Sequence, residues 1–148
     1  MKKNAIIIDL DGTLIDTPPI SPDQYALIDW EEYNEKNITA KEFVWCAKLV
    51  DLYHKAGYEI VFLTARDDSA RTRAATLAWL NKAFYFPITH LFMRTPKDFS
   101  SDHIIKEELL VSKILPAFLI EFAIDDKKSN CDMFRKHGIT ALQCKDSE

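Results

Sequence analysis

Ala5-Ile6-Ile7-Ile8-Asp9-Leu10-Asp11-Gly12-Thr13 is the stretch on which the fold turns. Three consecutive isoleucines leave no polar face, the pattern of a strand buried on both sides. The run is broken by Asp9, then by a second acid, then by one of the three glycines in the chain. A buried strand that ends in an acidic turn implies a parallel sheet, with polar groups gathered at the carboxyl end of the strand.

The rest of the chain repeats this theme. Apolar runs of strand length are expected at Ala5–Asp9, Glu59–Thr64, His90–Met93, Leu119–Ile124 and Thr140–Gln143. Helical spacing lies between them, over Thr39–Ala56, Asp68–Ala83, Asp102–Leu115 and Ser129–His137. Thr39 and Glu42 fit a capping box at the start of the first helix, and Asp102 is of N-cap type. Gly57 and Gly138 each sit between a helix and a strand, where a left-handed residue ends the helix. The alternation predicts an α/β fold: a doubly wound, mainly parallel, five-stranded Rossmann-like sheet with helices on both faces. Residues 14–38 fit least well. With Pro18, Pro19 and Pro22 followed by Asp29-Trp30-Glu31-Glu32-Tyr33, they read as a loop with one short helix. Such a segment is either a flap over a site or a packed connection with Trp30 in the core.

Bulk properties exclude several classes. The 148 residues suit one domain, 47% hydrophobic and 28% charged, an ordinary globular mixture. No apolar run approaches the ~20 residues of a membrane span. The apolar run after Lys2-Lys3-Asn4 stops at Asp9, too short for a signal peptide, so a cytoplasmic location is expected (the host cytoplasm if the gene is a phage's). Cys46, Cys131 and Cys144 are odd in number and widely spaced, and read as free thiols. His54, His90, His103 and His137 lack metal-ligand spacing. A net charge of −4 gives no overall attraction to nucleic acid.

Four features fall at strand ends or a helix start: Asp9 with Asp11, Thr64, Lys106, and Asp125 with Asp126. Grouped carboxylates repel one another, and a hard divalent cation such as Mg2+ relieves the repulsion while accepting phosphate oxygens. One carboxylate can attack phosphorus as a nucleophile, and a second can protonate the leaving alkoxide. Lys106 and the Thr64 hydroxyl can hold phosphoryl oxygens, since positioning and charge stabilisation are what phosphoryl transfer most needs. Each feature alone has a plainer reading as a turn, cap or solvated lysine. Their common placement does not.

Asp9-Leu10-Asp11-Gly12-Thr13 after Ile6-Ile7-Ile8 resembles the first motif of the haloacid dehalogenase (HAD) superfamily. Leu63-Thr64-Ala65-Arg66 resembles the second, Lys106 the third, and Asp125-Asp126 the fourth. The resemblance covers nearly the whole chain. It implies a phosphoric monoester hydrolase with Asp9 as nucleophile and Asp11 as general acid and then base. Thr64, Ala65, Arg66 and Lys106 would bind phosphate. Asp9, the main-chain carbonyl of Asp11, and Asp125 would hold Mg2+. Asp126, Thr13 and Asp102 would touch the metal or stand behind its ligands. The second acid, Asp11, points to the phosphatase branch.

Ser101–Glu108, Phe122–Asp126 and Ala56–Val61 running into Thr64 and Arg66 further resemble the phosphatase domain of phage-type polynucleotide kinases, which acts on nucleic-acid 3′-phosphates. No Gly-x-x-x-x-Gly-Lys-Ser/Thr loop is present, so no kinase half is expected. The spaces between motifs are too short for an ordinary cap domain, leaving a capless domain over residues 1–148 with residues 14–38 as flap or insert. The expected substrate is a nucleic-acid 3′-phosphate end or a nucleotide, without a membrane or an obligate protein partner. The alternatives are a small-molecule phosphatase, for deoxynucleotide monophosphates or sugar phosphates, and a receiver-like module phosphorylated on aspartate. A receiver carries its phosphorylated aspartate after a later strand.

Overall fold

A computed structural model describes residues 1–147. Five strands form one sheet: β1 (Lys3–Ile8), β2 (Glu59–Asp67), β3 (Leu91–Arg94), β4 (Phe118–Asp125) and β5 (Ala141–Gln143). Their order is β3-β2-β1-β4-β5, and every pairing is parallel. Strand β1 is therefore central, and the winding reverses between β1 and β4. That crevice is where open α/β sheets bind ligands.

Alternation along the strands builds two cores. Ile6 and Ile8 of β1 pack with Ile60 and Phe62 of β2, with Cys46 and Val50 of α2 (Val44–Lys55), and with Trp79 and Leu80 of α3 (Ala70–Ala83). Ala5 and Ile7 point the other way, with Val61 and Leu63, onto Leu110, Cys131, Met133 and Phe134. These come from the segment following α4 (Asp102–Leu109) and from α5 (Lys128–Lys136). The isoleucine run is apolar on every side because each side is covered.

Several boundaries differ from those expected. Thr39 and Glu42 form no capping box, and the helix begins only at Val44. Backbone pairing wins there: Phe43 N–H donates to Leu14 O (2.8 Å), Asp16 N–H to Lys41 O (2.8 Å), and Glu42 bridges Ile15. The extended 41–43 segment cannot also be the first turn of a helix. Helix α3 starts at Ala70, with the Ser69 hydroxyl accepting from Thr72 N–H at 3.2 Å. Strand β2 does not end at Thr64 but continues to Asp67, with a register irregularity after Leu63. Because β1 pairs with β2 only as far as Phe62, Thr64 still projects beyond the end of β1. Asp102 is the first residue of α4, not its cap, and the helix widens into a π-helical turn over Leu110–Ile114.

The 14–38 segment holds a 3-10 turn (Pro22–Leu27), the short helix α1 (Trp30–Lys36) and a second 3-10 turn (Asn37–Thr39). Trp30 is not core; it is 37% exposed. Gly57 and Gly138 have φ of 93° and 76°, as their places after α2 and α5 require. No helix among the described residues is long and apolar enough to cross a membrane.

Leu80 is fully buried against β1 and β2. Leu80→Ala is expected to lose about 2–5 kcal/mol of unfolding free energy, measured by urea denaturation. A loss below ~1 kcal/mol would show that this face collapses around the cavity.

Candidate active site

The turn after β1 is pinned by one carbonyl. Leu10 O accepts from the N–H groups of Thr13, Leu14 and Ile15 at 2.9–3.0 Å, and Leu10, Leu14 and Ile15 are wholly buried. Asp9 keeps its contact with the sheet through its N–H, which donates to Ile124 O at 3.1 Å. Asp125 closes the neighbouring β4. The two carboxylates therefore lie side by side where the sheet's winding reverses.

Lys106 reaches them from α4. Its Nζ donates to Asp9 Oδ1 (2.8 Å) and Asp125 Oδ2 (2.7 Å), and the residue is only 2% exposed. Burial works against its charge, but Asp125 and Asp9 outweigh burial and hold the ammonium above its ordinary range. Thr13 Oγ1 donates to Asp9 Oδ2 at 2.8 Å, so both oxygens of Asp9 are positioned. Burial pushes the Asp9 carboxyl well above the usual carboxylate range. Asp125 and Asp126 push it the same way, and Lys106 offsets only part of this.

Asp125 is further held by Lys127 N–H (3.0 Å) and by Asn130 Nδ2, 3.1 Å from each oxygen. Asp126 stands beside Gly12. An added Cβ at Gly12 would lie 2.4 Å from Asp126 Oδ2, and the glycine's φ is 83°. Asp9, Asp125 and Asp126 offer ligand oxygens within 4.8 Å of one another, and all three residues are buried.

Asp11 turns away from this cluster. Its oxygens accept from Arg66 Nε (2.8 Å) and Nη2 (2.7 Å), while Arg66 Nη1 donates to the buried Thr76 Oγ1 (3.0 Å). Burial raises the Asp11 carboxyl, but the charge and hydrogen bonds of Arg66 outweigh it and hold Asp11 below its ordinary range. Thr64 Oγ1 accepts from Arg66 N–H at 3.2 Å, which leaves its hydroxyl hydrogen available to an anion. Asp102 joins Arg94 (2.8 Å) to Lys127 (2.6 Å). Arg94 also holds Ala65 O at 2.8 Å.

These residues surround a cleft of about 90 Å³ lined by Asp9, Asp11, Thr64, Ala65, Arg66, Asp102, Lys106, Asp126, Lys127 and Asn130. A recess of about 160 Å³ opens at the start of β2, among His54, Glu59 and Phe86. No group of potential metal ligands converges there among the described residues, so the smaller cleft is the chemical one.

Every residue singled out in the sequence thus borders the cleft or touches a residue that does. Two placements are finer than expected. The carboxylate cluster takes in Asp126, while the Asp11 side chain is committed to Arg66, leaving only the main-chain carbonyl of Asp11 for a metal. Arg66 itself is spent on Asp11 and Thr76. Sequence reasoning missed Lys127 and Asn130. The one available signal was their position in the turn and first helical residues after the acid pair, where N–H and amide donors can reach back to Asp125.

The donor set fits a hard divalent cation. Asp11 is paired with Arg66, and Asp102 with Arg94 and Lys127, while Asp9, Asp125 and Asp126 face only Lys106. The deficit of two charges, with carboxylate oxygens as the ligands, matches Mg2+. No histidine or cysteine is part of the cluster. Burial pushes the Cys46 and Cys131 thiols up to about 12 and about 11, which makes them inert.

Gly12→Ala forces both a left-handed alanine, about 1–2 kcal/mol, and a displacement of Asp126. It is expected to lower the melting temperature and to weaken Mg2+ binding by calorimetry. Unchanged Mg2+ binding would remove Asp126 from the cluster. The Asp11–Arg66 pair stabilises the fold above the unfolded aspartate pKa of about 3.9, and the contribution is lost as pH falls through the lowered folded value. The stability deficit of Arg66→Met, followed by urea denaturation, should therefore be full at pH 7 and shrink below about pH 4. A deficit constant with pH would deny the coupling.

Solved structures place this geometry among known proteins. Two chains matched are from "Structure of the Pnkp1/Rnl/Hen1 RNA repair complex" (26% identity, TM-score 0.81, covering 97% of this chain and 43% of that one) and "Structure of Pnkp1/Rnl/Hen1 complex" (26%, 0.82, 99% and 47%). This chain spans less than half the length of either. A class C acid phosphatase from Bacillus anthracis with tungstate bound shares the fold at 18% identity and TM-score 0.64, covering 93% of this chain and 62% of that one. The family described as "Polynucleotide kinase PNKP phosphatase domain" matches residues 3–148, and the chain belongs to that HAD-type phosphatase family.

Proposed function

We propose that this phosphatase is an Mg2+-dependent phosphomonoesterase that works through an aspartyl-phosphate on Asp9, with a nucleic-acid 3′-phosphate end or a nucleotide as substrate. The observation that carries the reading is the fixed setting of Asp9. Both its oxygens are held, by Lys106 and Thr13, beside Asp125 at the floor of the cleft. A carboxylate that needs no reorganisation to meet phosphorus is a preorganised nucleophile. Mg2+ held by Asp9, Asp125 and the carbonyl of Asp11, with Asp126 beside them, would supply positive charge to the phosphoryl oxygens.

The residues divide the work as follows. An Asp9 oxygen forms the bond to phosphorus while the ester oxygen leaves, taking a proton from Asp11. Water then attacks phosphorus, its proton passes to Asp11, phosphate departs and Asp9 is restored. The Thr64 hydroxyl, the Ala65 segment and Lys106 hold the equatorial oxygens. While Arg66 grips both oxygens of Asp11, that carboxylate stays ionised. The acid step therefore needs the guanidinium drawn toward the substrate phosphate; Asp11, left as the carboxylate once its proton has gone to the leaving group, then accepts the proton of the attacking water.

Two of the solved chains belong to assemblies named for Pnkp1, Rnl and Hen1, one of them called an RNA repair complex, which supports a nucleic-acid end over a sugar phosphate. The reading takes residues 1–148 as one phosphatase domain with residues 14–38 as a flap, and assigns its work to the cytoplasm. The receiver alternative has little left to support it. Its doubly wound sheet follows another strand order, and here the acids follow β1 and β4.

Asp9→Asn is expected to cut turnover by at least about a thousandfold while keeping or raising the melting temperature, because it removes one buried charge from a repulsive cluster. Activity within tenfold of the parent would end the covalent mechanism. Chelation should abolish hydrolysis of p-nitrophenyl phosphate, and added Mg2+ should restore it; persistence in EDTA would end the metal requirement. A 3′-phosphoryl oligonucleotide assayed against mononucleotides and sugar phosphates identifies the substrate class, and an untouched oligonucleotide would favour the small-molecule reading.

A further inference from the structure

Arg66 is held at three places. Its main-chain N–H donates to Thr64 Oγ1 at 3.2 Å, its Nε and Nη2 donate to Asp11, and its Nη1 donates to Thr76 Oγ1 at 3.0 Å. Thr64 and Asp11 line the cleft. Thr76 does not: it lies on α3 and is wholly buried. Nor is it needed to balance charge, because Asp11 already pairs the guanidinium.

The direction of the Thr76 contact is fixed by chemistry. A hydroxyl has one proton, and Thr76 Oγ1 gives it to Thr72 O at 2.8 Å, one turn back along α3. A guanidinium has no acceptor. Thr76 Oγ1 therefore accepts from Arg66, with its own proton turned away. Threonines inside helices often bond the carbonyl four residues back. That habit accounts for the bond to Thr72 O but not for a guanidinium on the same oxygen.

The helix beneath Thr76 is itself tied down. Ser69 caps its start, and Ala75, Trp79 and Leu80 are buried. The Trp79 indole donates to Ala40 O at 2.7 Å, and Arg71 in the first turn pairs with Glu31 and Glu35 of α1. Thr76 is thus a fixed point behind a cleft residue.

Such a point matters most when Arg66 moves. In the reaction proposed above, an arriving phosphate draws Nε and Nη2 away from Asp11. Among the described residues, Thr76 is then the one hydrogen-bond partner left to the guanidinium. With that contact kept, the group turns about Nη1 and stays at the wall of the cleft. Without it, phosphate alone must order a long side chain, and a buried N–H loses its acceptor.

We propose that Thr76 is a positioning residue, the pivot that presents Arg66 to the phosphoryl group without touching the substrate. This rests on the reading in which Arg66 meets the substrate phosphate.

The test measures inorganic phosphate as a competitive inhibitor of p-nitrophenyl phosphate hydrolysis, with Mg2+ present. An inhibition constant does not depend on the fraction of protein that is active, so a merely destabilised variant leaves it unmoved. Arg66→Met should raise the constant by about tenfold or more, through loss of charge-assisted bonds. Thr76→Val keeps the shape of the side chain and removes the acceptor; it should raise the constant about three- to tenfold. Thr76→Ala removes the same acceptor with a better helix former, and serves if the valine variant does not fold. Thr76→Ser keeps the acceptor and should stay near the parent value. A constant raised by Arg66→Met but unchanged by Thr76→Val and Thr76→Ala overturns the pivot and leaves Arg66 as a phosphate ligand. Equal weakening in the serine and valine variants also overturns it, since packing and not the hydroxyl would then set the affinity. A constant unchanged by Arg66→Met overturns the phosphate role of Arg66, and the pivot with it.

Discussion

A lysine ammonium lies buried between two buried carboxylates, Asp9 and Asp125, at 2.8 and 2.7 Å. Neither acid could be kept there alone, since an unpaired charge in the interior costs several kcal/mol. The sheet brings the acids together by pairing β1 with β4, and α4, packed against β2 and β3, delivers Lys106 to them. Helix, strand order and chemistry are therefore coupled. Displacing α4 would leave two like charges facing each other.

The surrounding donors continue that logic. Asn130 and Lys127 N–H restrain Asp125 from the start of α5, and Thr13 restrains Asp9 from the turn after β1. Gly12 is the one residue that lets Asp126 close on that turn. None of these groups is catalytic by type. Together they fix the acids in a charged arrangement whose remaining deficit suits a divalent cation, so rigidity at the site comes from electrostatic compensation as much as from packing.

The fold was legible because its signals were long and periodic. The isoleucine run and Ile60-Val61-Phe62-Leu63 name two central strands without ambiguity, and the acids at their ends mark the site. What was not legible depended on competition between local and distant partners. Thr39 and Glu42 carry the pattern of a capping box, yet pairing of 41–43 with 14–16 took that backbone. Asp102 has the side chain of an N-cap, yet it serves Arg94 and Lys127 while Ser101 stands at the helix start. Arg66 could be placed at the site but not oriented, because its partner Thr76 lies on a helix whose rotation no motif reports.

That pairing pattern bears on how the site handles phosphate. Lys106, Arg66 and Lys127 each rest on an aspartate, so an arriving phosphate ester must compete with carboxylates of the same protein for every cation. In the proposed reaction that competition would keep ground-state affinity for phosphate low and would ease release of the inorganic product. Interactions that strengthen only as charge spreads over the equatorial oxygens are the ones that lower the barrier. A guanidinium that leaves Asp11 when phosphate arrives does two things at once. It stabilises the transferring group, and it frees the neighbouring carboxyl to carry a proton. In the proposed reaction the internal ion pair at Arg66 would then be part of the chemistry, because the resting state would hold its cations in reserve and would not trap the substrate it must turn over.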